Sequence, residues 1–160
     1  MARSVRYGSV GFALAALLAA AAAQAAVQVP RSVAFTPNAG ATGAVQQECQ
    51  LQTLVPQAIQ QAASDVQLVD APAKSGPWLE LSISEVHAPG GGPFSGPKWM
   101  GVSGKLHDRG KVIGSFRAKR VSTGVRSTCG SLAKIATVIG QDIATWLQAP
   151  SLDAELGDAR

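Results

Sequence analysis

The sequence predicts an α+β domain. It is a mostly antiparallel sheet of four to five strands with two amphipathic helices on one face, in the order β-α-β-β-β-β-α, and one disulfide. Three observations predict it. Two long stretches carry apolar residues at helical spacing. The segments around them alternate apolar and polar residues between Gly- and Pro-rich turns. The only two cysteines, Cys49 and Cys129, each fall near the start of one helical stretch.

The chain has 160 residues, and its first 25 are expected to be a secretory signal. Arg3 and Arg6 supply a positive start, residues 10–23 an apolar run, and Ala23-Gln24-Ala25 a small-x-small cleavage site. That run is shorter than the roughly 20 apolar residues a spanning helix needs, so no transmembrane segment is expected after cleavage. The expected division is residues 1–25 signal peptide, 26–44 N-terminal strand and linker, 45–148 a single domain and 149–160 a flexible tail. The expected location is periplasmic or secreted.

The elements follow in order. Ser32-Val33-Ala34-Phe35 is a short strand, followed by a linker marked by Asn38, Gly40 and Gly43. Over 46–63, Leu51, Leu54, Val55, Ala58, Ile59 and Ala62 form one helical stripe, with Pro56 expected to kink or restart the helix. Residues 66–69 form a short strand. Residues 78–86 form a longer one, with Leu79, Leu81 and Ile83 on one face and Glu80, Ser82 and Ser84 on the other. Residues 88–97 are a Gly/Pro-rich loop. Residues 100–123 read as a hairpin turning at Asp108-Arg109-Gly110. Met100, Val102, Leu106, Val112, Phe116 and Ala118 point inward there, and Gly104 and Gly114 on that face signal close packing or a bulge. Ser127 or Thr128 caps a last helix whose stripe runs Leu132, Ile135, Ala136, Ile139, Ile143, Trp146 and Leu147, and Pro150 stops it.

An even cysteine count in an exported chain reads as a disulfide, and Cys49–Cys129 is the one pairing within the chain. Closing so long a loop is worth at most roughly 4–5 kcal/mol in the chain-entropy picture. The bond requires the two helix starts to lie side by side, with Cα atoms within about 7 Å.

Charge is unevenly distributed. From Lys98 to Arg126 there are eight basic residues and one acid, Asp108. The rest of the chain after residue 25 carries nine acids against four bases. Alternation places Lys105, Arg117 and Lys119 together on the face opposite Val102 and Phe116. With Lys98 and Trp99 beside the loop, they form the expected binding surface for an anionic partner: an envelope protein, an anionic lipid or lipopolysaccharide. Nucleic acid is not expected, since Phe116 is the hairpin's only aromatic and faces inward.

Catalytic patterns are missing. The loop 91–98 lacks phosphate-loop spacing, because Pro97 precedes Lys98 and no Ser or Thr follows it. Gly101-Val102-Ser103-Gly104 is no nucleophile elbow. No enzyme activity, cofactor or metal is expected. The alternative is a metal-binding protein or enzyme using His87 and His107, each at a strand end. A further alternative is a structural domain that oligomerises; the sequence does not specify the oligomeric state.

Leu79-Glu80-Leu81-Ser82-Ile83, the glycines of 90–96, the hairpin 102–121 and the stripe 132–147 together resemble small bacterial envelope proteins of unknown function, many of them lipoproteins. They are also similar to transport-auxiliary and outer-membrane assembly accessory domains. The resemblance implies a binding or assembly role without catalytic residues. The chain departs from the pattern in having no lipobox cysteine, its first being Cys49, so the acyl tether is not expected here.

Overall fold

The computed structural model describes residues 25–89, 95–123 and 127–159. Residues 1–24 of the expected signal segment, residues 90–94 of the glycine loop and Arg126 lie outside the described residues. The elements are β1 (Val27–Pro30), β2 (Ala34–Phe35), α1 (Gly43–Glu48), α2 (Leu51–Ala62), β3 (Val66–Val69), β4 (Trp78–His87), β5 (Lys98–Asp108), β6 (Lys111–Ser122), α3 (Thr128–Leu147) and β7 (Ala154–Gly157).

The α+β class is as the sequence predicts, but the sheet is wider, with seven strands in the order β3-β1-β4-β5-β6-β7 and β2 also pairing β4. Its centre, β4-β5-β6, is antiparallel. Its flanks are parallel: β1 with β3, and β6 with β7. A parallel pair needs a long crossover. Helices α1 and α2 supply one and α3 the other, so both helical layers are βαβ crossovers. Residues 154–157, within the expected tail, form the seventh strand.

The helix expected over 46–63 divides at Cys49 and Gln50, where Gln50 takes a left-handed conformation (φ 51°). It does not divide at Pro56, which lies buried within α2. Pro56 has no N–H to offer the Gln52 carbonyl one turn back. The Val33 N–H donates to that carbonyl instead, at 3.0 Å. The missing helix bond is thereby replaced, and the segment before β2 is pinned to α2.

Ser127 is the α3 cap, its hydroxyl accepting from Gly130 N–H at 3.1 Å. Every residue of the predicted α3 stripe is buried. The stripe packs on the inner sheet face, made by Leu79, Ile83, Val86, Met100, Val102, Leu106, Phe116 and Ala118. Two glycines admit rings there. A Cβ at Gly104 would lie 2.6 Å from the Phe116 ring, and one at Gly114 2.6 Å from the Trp146 ring. Phe116 and Trp146 meet edge to face at 4.8 Å.

The Cys49–Cys129 disulfide is present, with Cα atoms 4.9 Å apart. It joins the residue before the α2 cap to the first turn of α3, so the two helices start together. A Cβ at Gly140 would meet Ala58 backbone at 2.6 Å. The two helices therefore touch main chain to main chain midway along α3.

Candidate functional site

The helices cover one sheet face. The other face of β4-β5-β6 carries Trp78, Glu80, Ser82, Glu85 and His87 on β4. Opposite them stand Trp99, Gly101, Ser103, Lys105 and His107 on β5, then Ser115, Arg117 and Lys119 on β6. A register shift at Ser84, between Ile83 and Glu85, turns Val86 inward and Glu85 and His87 outward. Simple alternation from Leu79 assigns those three residues the opposite way.

Lys105, Arg117 and Lys119 all lie on this open face. Trp99 joins them. Lys98 does not: it follows the parity of Met100, is only 1% exposed, and its ammonium donates to Ser95 Oγ at 3.0 Å and Gly96 O at 3.4 Å. Lys98 is thereby corrected from surface cation to buried lysine.

Three cations of the hairpin are compensated by acids from elsewhere in the chain. Arg117 pairs with Glu155 of β7 at 2.8 Å, and Lys119 with Glu85 of β4 at 2.9 Å. The second pair crosses over β5 at Gly101, which is in register with both Glu85 and Lys119 and has no side chain in the way. Arg120 faces the helices and holds Asp142 of α3 through two bonds of 2.7 and 2.8 Å, with Asp158 at 3.7 Å. Arg109 pairs with Asp108. The face expected to be basic is one of mixed charge.

Two titratable groups are displaced by these contacts. Burial works against ionisation of Glu85, but bonds from Lys119 and Trp99 Nε1 and the Lys119 charge outweigh it and hold its carboxyl below the usual range. The Asp142 bonds raise the Arg120 guanidinium, against the opposing effect of burial.

Each histidine stacks on a tryptophan: His107 on Trp78 at 4.2 Å and His87 on Trp99 at 3.6 Å. His107 Nε2 also contacts Glu80 at 2.9 Å. The two stacks mark opposite ends of the β4-β5 ladder, nine residue steps or about 30 Å apart. A site shared by His87 and His107 is thereby overturned. Among the described residues no group of three or more His, Cys, Asp or Glu could hold a metal ion.

Between the stacks runs a groove of about 480 Å³, walled by Glu80, Ser82, Ser103, Lys105, Ser115, Arg117 and Asp153. Its acids are engaged. Glu80 contacts His107, and Asp153 accepts from the Ser115 hydroxyl at 3.1 Å while its own N–H donates back at 2.8 Å. Among the described residues, Lys105 has no ion pair, and the hydroxyls of Ser82 and Ser103 have no hydrogen-bond partner. Lys105 and Arg117 belong to the surface expected from the sequence; Ser82, Ser103, Ser115 and Asp153 do not. The strand alternation carries a signal for Ser82 and Ser103; Asp153 carries none, because β7 brings it there.

No family model matches the chain, and no curated protein matches it. Solved structures do. An uncharacterized protein aligns at a TM-score of 0.56 and 13% identity, over 78% of this chain and 93% of its own. A PelC dodecamer from Paraburkholderia phytofirmans aligns at 0.50 and 21%, over 80% and 90%. A protein from Xanthomonas campestris aligns at 0.48 and 13%, over 78% and 83%. At these identities the first two share the fold.

Proposed function

We propose that this chain is an exported, non-catalytic accessory protein of the bacterial envelope that binds its partner in the open-face groove. The observation that carries this reading is the groove's uncommitted chemistry. Its carboxylates are used internally, while the Lys105 ammonium and the Ser82 and Ser103 hydroxyls are free to donate. Such a set suits an oxygen-rich, acceptor-bearing group of a partner, a carboxylate or phosphate above all. Arg117, held by Glu155, contributes its remaining N–H groups. Trp99, Lys119 and Glu85 form the rim at one end.

Export is supported by the disulfide, since such bonds persist in oxidising compartments. Among the described residues no helix is long and apolar enough to cross a membrane. A non-catalytic role is supported by the separation of the two histidines along the β4-β5 ladder.

The test is affinity capture from the organism's own envelope fraction. Lys105→Glu should lose the principal partner while leaving thermal stability unchanged, because Lys105 is exposed and unpaired. Equal recovery by wild type and variant would refute the groove as the contact surface. Assembly into an oligomer is a second reading, favoured by the dodecameric state named for the PelC structure of the same fold. Light scattering on the purified protein tests it directly.

A further inference from the structure

The described residues expose four large hydrophobic side chains, and three of them gather at one end of β6. Val112 is 44% exposed, Ile113 47% and Leu152 63%; the fourth, Val121, lies at the far end of the same strand. The register shows how the first two come to be outside. Leu106 pairs Gly114 and His107 pairs Val112, which leaves Ile113 as an extra, unpaired residue. A bulge of this kind re-aims side chains. Here it turns two adjacent β-branched residues to solvent, where strict alternation would bury one of them, Val112.

Leu152 arrives from another element. Ser115 N–H donates to Ser151 O at 3.0 Å, and a Cβ on Gly114 would touch Pro150 at 3.1 Å. The chain from 150 to 153 therefore runs beside Gly114 and Ser115 and brings Leu152 to the same end of β6 as Val112 and Ile113. Behind them, the half-buried Trp78 stacks on His107, the cross-strand partner of Val112.

Charge brackets this apolar tip. Arg109 and Lys111 flank it at the turn, where Arg109 (φ 47°) and Gly110 (φ 78°) form a tight two-residue connection. The acids at this end are engaged: Asp108 with Arg109, Glu80 with His107 and Asp153 with Ser115. Lys111 has no ion pair among the described residues and stands at the tip as an unpaired cation.

We infer that this tip docks the protein on an anionic lipid bilayer. The aliphatic residues enter the acyl boundary, Trp78 lies at headgroup depth, and Arg109 and Lys111 meet the lipid phosphates. Aliphatic groups flanked by Arg109 and Lys111 match a surface that is apolar within and anionic at its rim, and neither contribution alone gives firm attachment. The inference is independent of the groove, which uses Lys105, Ser82 and Ser103.

The experiment is vesicle co-sedimentation of the chain from Ala26 onward, which contains every described element. Phosphatidylglycerol-containing vesicles are compared with pure phosphatidylcholine. Wild type should sediment with the anionic vesicles, and less as salt is raised. The combined Val112→Ser, Ile113→Ser and Leu152→Ser variant should lose about tenfold or more in partitioning. Arg109→Ser with Lys111→Ser keeps the apolar tip and should cost about fivefold per cation, which decides the matter should the triple variant misfold. No sedimentation with anionic vesicles, or binding unaltered in both variants, would overturn the inference. So would a tip that instead joins two copies, seen as a wild-type dimer by light scattering that the serine variant abolishes.

Discussion

Glu85 shows how single residues define the open face. Its carboxylate receives Trp99 from one neighbouring strand and Lys119 across Gly101 from the next. Because its folded-state acidity is stronger than its unfolded one, its contribution to stability is complete above the ordinary glutamate value of about 4.3 and is lost as pH falls through the lower, folded value. The Trp99 indole N–H resonance should therefore show a transition below the normal glutamate range, and Glu85→Gln should remove it. A Glu85-dependent transition centred at or above the ordinary value would contradict the assignment. Gly104 makes a second residue-scale case. Adding one methyl there forces Phe116 aside, so Gly104→Ala should cost about 1–3 kcal/mol in a denaturant titration.

At the scale of elements, the helices depend on close contact at two places. Gly140 against Ala58 leaves no room for a side chain, so Gly140→Ala should separate α2 from α3 and lower stability by about 1–3 kcal/mol. The disulfide holds the same two helices at their starts. Its reduction, or Cys49→Ser with Cys129→Ser, should cost about 2–4 kcal/mol and lower the melting temperature. The α3 stripe was legible in the sequence because all seven of its residues face one core at one period. β7 was not: it has four residues, two of them apolar, too few to show alternation. The break at Gln50 was equally hidden, since it lies in a left-handed backbone without glycine, whereas Pro56 offered an obvious break and proved harmless because Val33 replaces its missing donor.

For the whole molecule, the same limit governs the site. Local alternation correctly gathered Lys105, Arg117 and Lys119 on one face. It could not show that Arg117, Lys119 and Arg120 find acids 38, 34 and 22 residues away in sequence. Those pairings change a basic hairpin into a mixed-charge face, and leave Lys105 and two serine hydroxyls as the groove's free donors. The fold thus separates two surfaces: a polar groove and an apolar tip beside it. The most direct test of the groove is site-specific photo-crosslinking in living cells, with a photoreactive residue at Ser103 on the open face and, as a control, at Gln60 on the helical side. A discrete adduct is expected from position 103 that disappears with Lys105→Glu, and none from position 60. An adduct from position 60 alone, or one from 103 that is indifferent to Lys105, would contradict the groove as the contact surface.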